Sequence, residues 1–271
     1  MNEFNLNSIS PIDGRYSDKT EVLSQYFSEK ALIFYRIKVE VEYFISLCKL
    51  GIPQLKKFES KKFDDLRKIY QDFSNEDAIE IKKIEKVTNH DVKAVEYFIK
   101  QKFEILGISD YKEFIHFGLT SQDINNSAIP LSIKDFINNI YIPKINKVIT
   151  AIENKSEELK DITIIARTHG QPASPTKLGK EFKVFSTRIN EQMKTLKKIP
   201  NSAKFAGAVG NFNAHKVAYP EIDWKEFGQN FIEKELGLNY SFPTTQIEHY
   251  DSFAALCDNC RRINNILLDM C

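Results

Sequence analysis

Ile129-Pro130-Leu131-Ser132-Ile133-Lys134-Asp135-Phe136-Ile137-Asn138-Asn139-Ile140-Tyr141-Ile142-Pro143-Lys144-Ile145 opens the stretch whose reading decides the fold. Ile129, Ile133, Phe136, Ile137, Ile140, Ile145, Val148, Ile152 and Leu159 recur at the three- and four-residue spacing of one helical face. The spacing predicts a single helix of about seven turns or more, with Pro130 in its first turns and a kink at the interior Pro143. Helices of this length bury their apolar stripes most readily in a bundle. A mainly α protein follows, with only a short extended stretch around 162–166.

The flanking sequence repeats the pattern. Residues 21–50 place Phe27, Leu32, Phe34, Ile37, Val41, Phe44 and Leu47 at helical spacing before a stop at Gly51-Ile52-Pro53. Residues 60–86 form a charge-rich helical region broken near Ser74-Asn75, and Val92–Phe103 a third. Two more helices are expected, from about Thr176 to Lys198 and from about Asp251 to Met270. The last carries Phe253, Leu256, Cys257, Cys260, Ile263, Leu267 and Met270 on one side. Residues 200–248, rich in Gly, Asn, Pro and Thr, read as an irregular excursion. The final helix pattern runs into Cys271 with no glycine stop, so the sequence is expected to break off inside an element.

With 271 residues the chain can bury a sizeable core. Its 38 basic and 37 acidic residues argue against a protein that wraps nucleic acid. No apolar run of about 18 residues predicts a membrane span, and the polar start Met1-Asn2-Glu3-Phe4-Asn5 is unlike a secretory signal. Cys257 and Cys260 form one C-x-x-C inside a helical pattern without further ligands. Buried reduced thiols, and hence the cytoplasm, are the expectation.

Three polar clusters stand at predicted helix starts: Thr88-Asn89-His90-Asp91, Thr120-Ser121-Gln122-Asp123, and the turn Arg167-Thr168-His169-Gly170-Gln171-Pro172-Ala173-Ser174-Pro175-Thr176. In the last, Ser174 suits an N-cap and Pro175 the first helical position. Free N–H groups at helix starts attract anions, so the clusters suit a multiply charged anion; caps alone would also produce them. Arg15, in Pro11-Ile12-Asp13-Gly14-Arg15-Tyr16, suits a phosphate through its planar fork, or is a solvated loop arginine. His116 reads as a buried hydrogen-bonded residue or a partner behind the site, His215 and His249 as structural or exposed. Gln246 precedes the last helix. No metal-ligand set, phosphate-binding glycine loop or nucleophile elbow is present.

Together these segments resemble the adenylosuccinate lyases of the fumarase/aspartase superfamily, in their bacterial long form. The resemblance is carried by Ser10–Tyr16, Thr88–Phe98, Glu113–Phe117, Thr120–Asn126, Arg167–Ala173, Gly207–Asn211 and Thr244–Glu248, in the family's order. It implies a helical amino-terminal domain over 1–111 and the first part of a long-helix bundle over 112–271. It implies that His169 is the general acid and His90 a second active-site histidine, in the substrate-binding triplet Asn89-His90-Asp91. Arg15 and Tyr16 would bind nucleotide, Thr120 and Ser121 the succinyl carboxylates, and Gln246 another part of the substrate. The implied reaction releases fumarate from a succinylated purine nucleotide, without metal or organic cofactor, in a cytoplasmic homotetramer that binds neither nucleic acid nor membrane. The family's base, a serine in Ser-Ser-x-Met-Pro-x-Lys-x-Asn-Pro, has no match in these 271 residues. The resemblance thus implies a carboxy-terminally truncated chain, inactive alone. Another lyase of the superfamily, or a non-catalytic binding module, is the alternative.

Overall fold

The computed structural model describes residues 7–271; the polar amino-terminal segment read above lies outside them. The described residues fold as two compact units, one within 1–134 and 202–249, the other 135–201 with 250–271. This division differs from the 1–111 and 112–271 reading.

The first unit opens with two short turns, α1 (Ser17–Thr20) and α2 (Ser24–Phe27), before α3 (Glu29–Leu50). Ser28 caps α3 by accepting the Ala31 N–H, and Gly51, at φ 79°, ends it in the left-handed conformation. The helix predicted over 21–50 therefore starts later, because only Ser28 offers a cap with extended backbone. α3 is buried nearly all round over its central turns and forms the unit's centre. Ile37, Val41, Phe44, Ile45 and Leu47 are buried against α4 (Phe63–Gln71), α5 (Asn75–Thr88) and α6 (Asp91–Ile105). The break at Ser74-Asn75 is a full capping box between Ser74 and Asp77. α7 (Ser121–Phe136) starts the long helix read from the sequence. From the excursion, β3 (Ser202–Ala203), α10 (Asn213–Ala218), α11 (Trp224–Asn230) and β4 (Asn239–Tyr240) complete the unit. Ser202 and Ala203 pair in parallel with Asn239 and Tyr240, while Phe205, Trp224 and Phe231 fill the core.

The second unit contains α8 (Ile142–Glu158), a β1 (Thr163–Thr168) and β2 (Gln171–Lys177) hairpin, α9 (Leu178–Leu196) and α12 (Asp251–Met270). Its core is Ile145, Ile149, Ile152, Ile189, Met193, Leu196, Ile263 and Ile266. α8 and α9 approach so closely that a Cβ on Gly179 would lie 2.2 Å from the Ser156 carbonyl oxygen. The turn before Pro143 is a π-helix, Ile137–Tyr141, with the Ile142 N–H on the Ile137 carbonyl. A widened turn accommodates the missing proline N–H and its ring.

The thiols correct one expectation. Cys48 and Cys260 are half-buried, Cys257 and Cys271 exposed, and all four are free. On α12 the buried positions are Asn259, Ile263 and Ile266, so the inward face is rotated away from Cys257, and Phe253 is exposed as well.

Candidate functional site

Asn89-His90-Asp91 is the hinge between two consecutive helices. Asn89 ends α5 in the left-handed conformation, at φ 51°, and its N–H bonds the Glu85 carbonyl. His90 then turns extended and caps α6, its Nδ1 accepting the Lys93 N–H at 3.1 Å. Asp91 Oδ1 accepts the N–H of Val92 at 2.8 Å, and Oδ2 accepts Arg36 Nη2 at 2.5 Å. Partial burial would raise the Asp91 pKa, but the Arg36 charge and the Val92 N–H outweigh it and hold the carboxyl below its usual value. The imidazole is exposed at a cleft of about 600 Å³ shared with Arg36, Lys82, Lys86, Asn89 and Asp91.

The start of α7 is the hub of the first unit. Ser121 Oγ lies 3.3 Å from His90 Nε2. Asp123 Oδ2 accepts the Thr120 N–H at 2.9 Å, the carboxylate half of the capping box read from the sequence. Its other oxygen accepts the N–H groups of Ala206 (2.8 Å) and Gly207 (3.1 Å) and the ammonium of Lys204 (2.7 Å). Asn125 Oδ1 accepts Arg36 Nε at 2.9 Å, and Asn126 Oδ1 accepts the Glu248 N–H at 3.0 Å. Gly210, at φ 82°, lets the 207–211 loop lie on the Thr244 backbone, since a Cβ there would meet the Thr244 oxygen at 2.3 Å. One helix start thereby gathers the Asn89–Asp91 hinge, the Lys204–Gly207 segment and the stretch carrying Gln246, whose side chain is exposed.

Arg15 and Tyr16 sit in a hydrogen-bonded turn: the Gly14 N–H bonds the Ser10 carbonyl, and the Tyr16 N–H the Pro11 carbonyl. Both side chains are exposed. Among the described residues Arg15 makes no ion pair.

His169 belongs to the second unit, and its setting is not a helix start. Ser174 and Pro175 lie on β2, where Pro175 pairs with Ile165. α9 begins only at Leu178, with no side-chain cap. Thr168 pairs with Gln171, so His169-Gly170 is a two-residue hairpin loop. Both residues have positive φ, 51° and 75°, which matches the right-handed twist of the strands. The imidazole stands exposed at the hairpin tip. The signals that read as a helix cap were two residues of an edge strand, and the three helix-start clusters reduce to two.

The sequence reading missed a polar stripe along α3. Arg36, Glu40 and Tyr43, spaced four and three, lie on one face of this buried helix. Arg36 ties Asp91 to Asn125, and Glu40 Oε1 lies 2.5 Å from His116 Nδ1. The Tyr43 hydroxyl donates to the Phe117 carbonyl at 2.7 Å and sits 3.0 Å from His215 Nε2. Burial lowers the His116 pKa, but the Glu40 charge and hydrogen bond leave it above the ordinary value. His215, fully buried and touching the Trp224 ring, is pushed down to about 4 by desolvation, against the opposing pull of Asp123. His249 is exposed. Among the described residues no group of three or more His, Cys, Asp or Glu is arranged to hold a metal ion. None of their helices is long and apolar enough to cross a membrane.

Residues 14–271 match the model of the Lyase family. The adenylosuccinate lyase of Dictyostelium discoideum is 51% identical over 276 residues, covering 98% of this chain and 59% of that protein. That of Legionella pneumophila (strain Corby) is 46% identical over 266 residues, covering 97% and 58%. The chain thus spans a little under three-fifths of the length of these curated relatives. Among solved structures, a fumarate lyase from Mesorhizobium sp. shares the fold at a TM-score of 0.74 and 20% identity, covering 93% of this chain and 55% of that one. A beta-carboxy-cis,cis-muconate cycloisomerase from Acinetobacter calcoaceticus does so at 0.70 and 18%, covering 92% and 56%. The match over residues 14–271 and the 46–51% identity along nearly the whole chain show the family: the chain belongs to the Lyase family.

Proposed function

We propose that this chain carries the acid and substrate-binding half of an adenylosuccinate lyase site. The reaction is elimination of fumarate from adenylosuccinate, giving AMP, and the same cleavage of the succinyl-carboxamide ribotide of purine synthesis. The supporting observation is the likeness to adenylosuccinate lyases along nearly the whole chain.

A base removes the proton from the carbon next to a succinyl carboxylate, and negative charge builds on that carboxylate. Hydroxyl donors at Thr120 and Ser121, on a helix start fixed in advance by the hydrogen bond from the Thr120 N–H to Asp123, lower the barrier to that step. The C–N bond then breaks, its electron pair moves to the purine nitrogen, and His169 supplies the proton that nitrogen needs. A positioned acid of this kind contributes about 10²–10⁴-fold. Arg15 and Tyr16 serve the nucleotide end, Asn89, His90, Asp91 and Gln246 the remaining substrate contacts. The base is the serine of the loop pattern missing from these 271 residues, so a polypeptide limited to them has little turnover. The complete site is shared between subunits of a cytoplasmic tetramer.

A chimera tests the reading. Residues 1–271 replace the matching segment of the Legionella pneumophila adenylosuccinate lyase, so that the relative supplies the rest. The chimera should release AMP and fumarate from adenylosuccinate, and leave argininosuccinate, aspartate and malate uncleaved. A soluble, assembled chimera that prefers one of those three overturns the proposal.

A further inference from the structure

We infer that His90 is a one-way hydrogen-bond donor, its tautomer fixed by a backbone N–H, so that the hydroxyl proton of Ser121 is left to point at a carboxylate of the substrate. The inference rests on the lyase reading for the substrate's identity, but the direction of the hydrogen bonds follows from geometry alone.

The Lys93 N–H can only donate, and it points at His90 Nδ1 from 3.1 Å. Nδ1 must therefore present its lone pair, and in the neutral imidazole the single proton sits on Nε2. Nε2–H faces Ser121 Oγ at 3.3 Å, which makes the serine oxygen the acceptor. A hydroxyl has one proton and two lone pairs. With a lone pair engaged by His90, the Ser121 proton is free for an outside acceptor. The order Lys93 N–H, His90, Ser121, substrate oxygen runs in one direction.

The reverse order fails on its first contact. A Ser121 proton given to Nε2 requires the proton on Nδ1, which would set two donors against each other at 3.1 Å. Asp91 Oδ1 offers no escape: it is 3.6 Å from Nδ1, beyond a hydrogen bond, and already holds the Val92 N–H. Arg36 makes the arrangement rigid. It binds Asp91 beside the histidine and Asn125 four residues after Ser121, so both ends of the His90–Ser121 contact share one guanidinium. Arg36 is a positioning residue. Donors in series polarise one another, and the last bond, from hydroxyl to carboxylate, is charge-assisted. His90 accordingly neither takes nor returns a proton in the reaction.

Nitrogen-15 NMR of the labelled 271-residue chain tests the tautomer without any turnover. The spectra are recorded above the imidazole titration range, with His90 assigned by loss of its signals in His90→Gln. The expected pattern is a pyridine-type Nδ1 and a pyrrole-type Nε2. A pyrrole-type Nδ1, or two averaged nitrogens, overturns the inference. In the chimera, His90→Gln keeps an N–H close to the Nε2 position and should hold turnover within about tenfold, the worth of one modest hydrogen bond. His90→Ala should lose about 10²-fold or more. Glutamine as poor as alanine would make His90 a proton carrier and overturn the inference. A chimera inactive on adenylosuccinate with the expected NMR pattern would count against the lyase reading, not against the tautomer.

Discussion

Asp123 and Lys204 meet at 2.7 Å with neither side chain reaching solvent. The carboxylate also collects the N–H groups of Thr120, Ala206 and Gly207, and the ammonium donates onward to the Gly207 carbonyl. Burial lowers the Lys204 pKa, and Asp123 opposes that shift. Two charges taken out of water are tolerated only when such a hydrogen-bond set surrounds them. Asp123 holds the Thr120 N–H and lies two residues after Ser121 on α7, so the pair's first consequence is the shape of the site.

Asp123→Ala strands a buried ammonium and three N–H groups together. It should cost about 3–5 kcal/mol, the range for breaking a buried pair. Lys204→Met should cost less, because the carboxylate keeps its three N–H donors. Urea unfolding of both variants, followed by circular dichroism, checks the order; equal midpoints would remove the pair from its central place.

His215, which is buried, and His116, which is half-buried, give the stability opposite dependences on pH. His215 has a folded pKa near 4 against an ordinary 6.5, so the unfolded chain binds the extra proton between those values. Stability from this residue is complete above pH 6.5 and declines as pH falls toward 4, by roughly 3 kcal/mol in all. His116 is shifted upward beside Glu40; its contribution is complete below 6.5 and is lost as pH rises through its folded pKa. Urea titrations across pH should show His215→Phe flattening the acid side and His116→Gln the neutral-to-alkaline side. Identical profiles for wild type and both variants would contradict the assignment.

His169 occupies a position that disfavours histidine. Its φ of 51° is left-handed, where asparagine fits a two-residue hairpin loop better. His169→Asn should stabilise the chain by up to about 1 kcal/mol, the lower end of the strain held by such a backbone. The same change in the chimera should cost turnover. A variant that is less stable, or as active as before, would show that the histidine is there for the fold.

Gly210→Ala combines a left-handed backbone with a contact of 2.3 Å to the Thr244 oxygen. The backbone alone costs about 1–2 kcal/mol, and the clash moves the stretch that carries Gln246. Thermal unfolding should show a clear loss, with the KM of the chimera raised more than its kcat is lowered. Gly51→Ala, with open space around the Cβ, is the control and should lose only the backbone part.

The helices were legible because their apolar spacing is local. Asp251–Met270 and the break at Ser74-Asn75 were read at their observed places, the latter from polar residues that form a capping box. The hairpin was not, since Ser174-Pro175 satisfies the rules for a helix start equally well and only the pairing of Pro175 with Ile165 and Thr176 with Ile164 decides for a strand. The segments that form the hub were visible as polar clusters, but their partners were not. Arg36 looks like a charge on a helix until Asp91 and Asn125, 55 and 89 residues away, are folded against it. Lys204 carries no local sign that it will be buried on Asp123. Long-range polar contacts have no period for a sequence to display.

The most direct measurement compares AMP and fumarate release from adenylosuccinate by the chimera carrying residues 1–271 and by its His169→Ala form. If His169 is the acid to the departing nitrogen, the parent releases the two products in equal amounts, and the variant is slower by about 10²–10⁴-fold while remaining folded and assembled. Equal rates from the two proteins would contradict it.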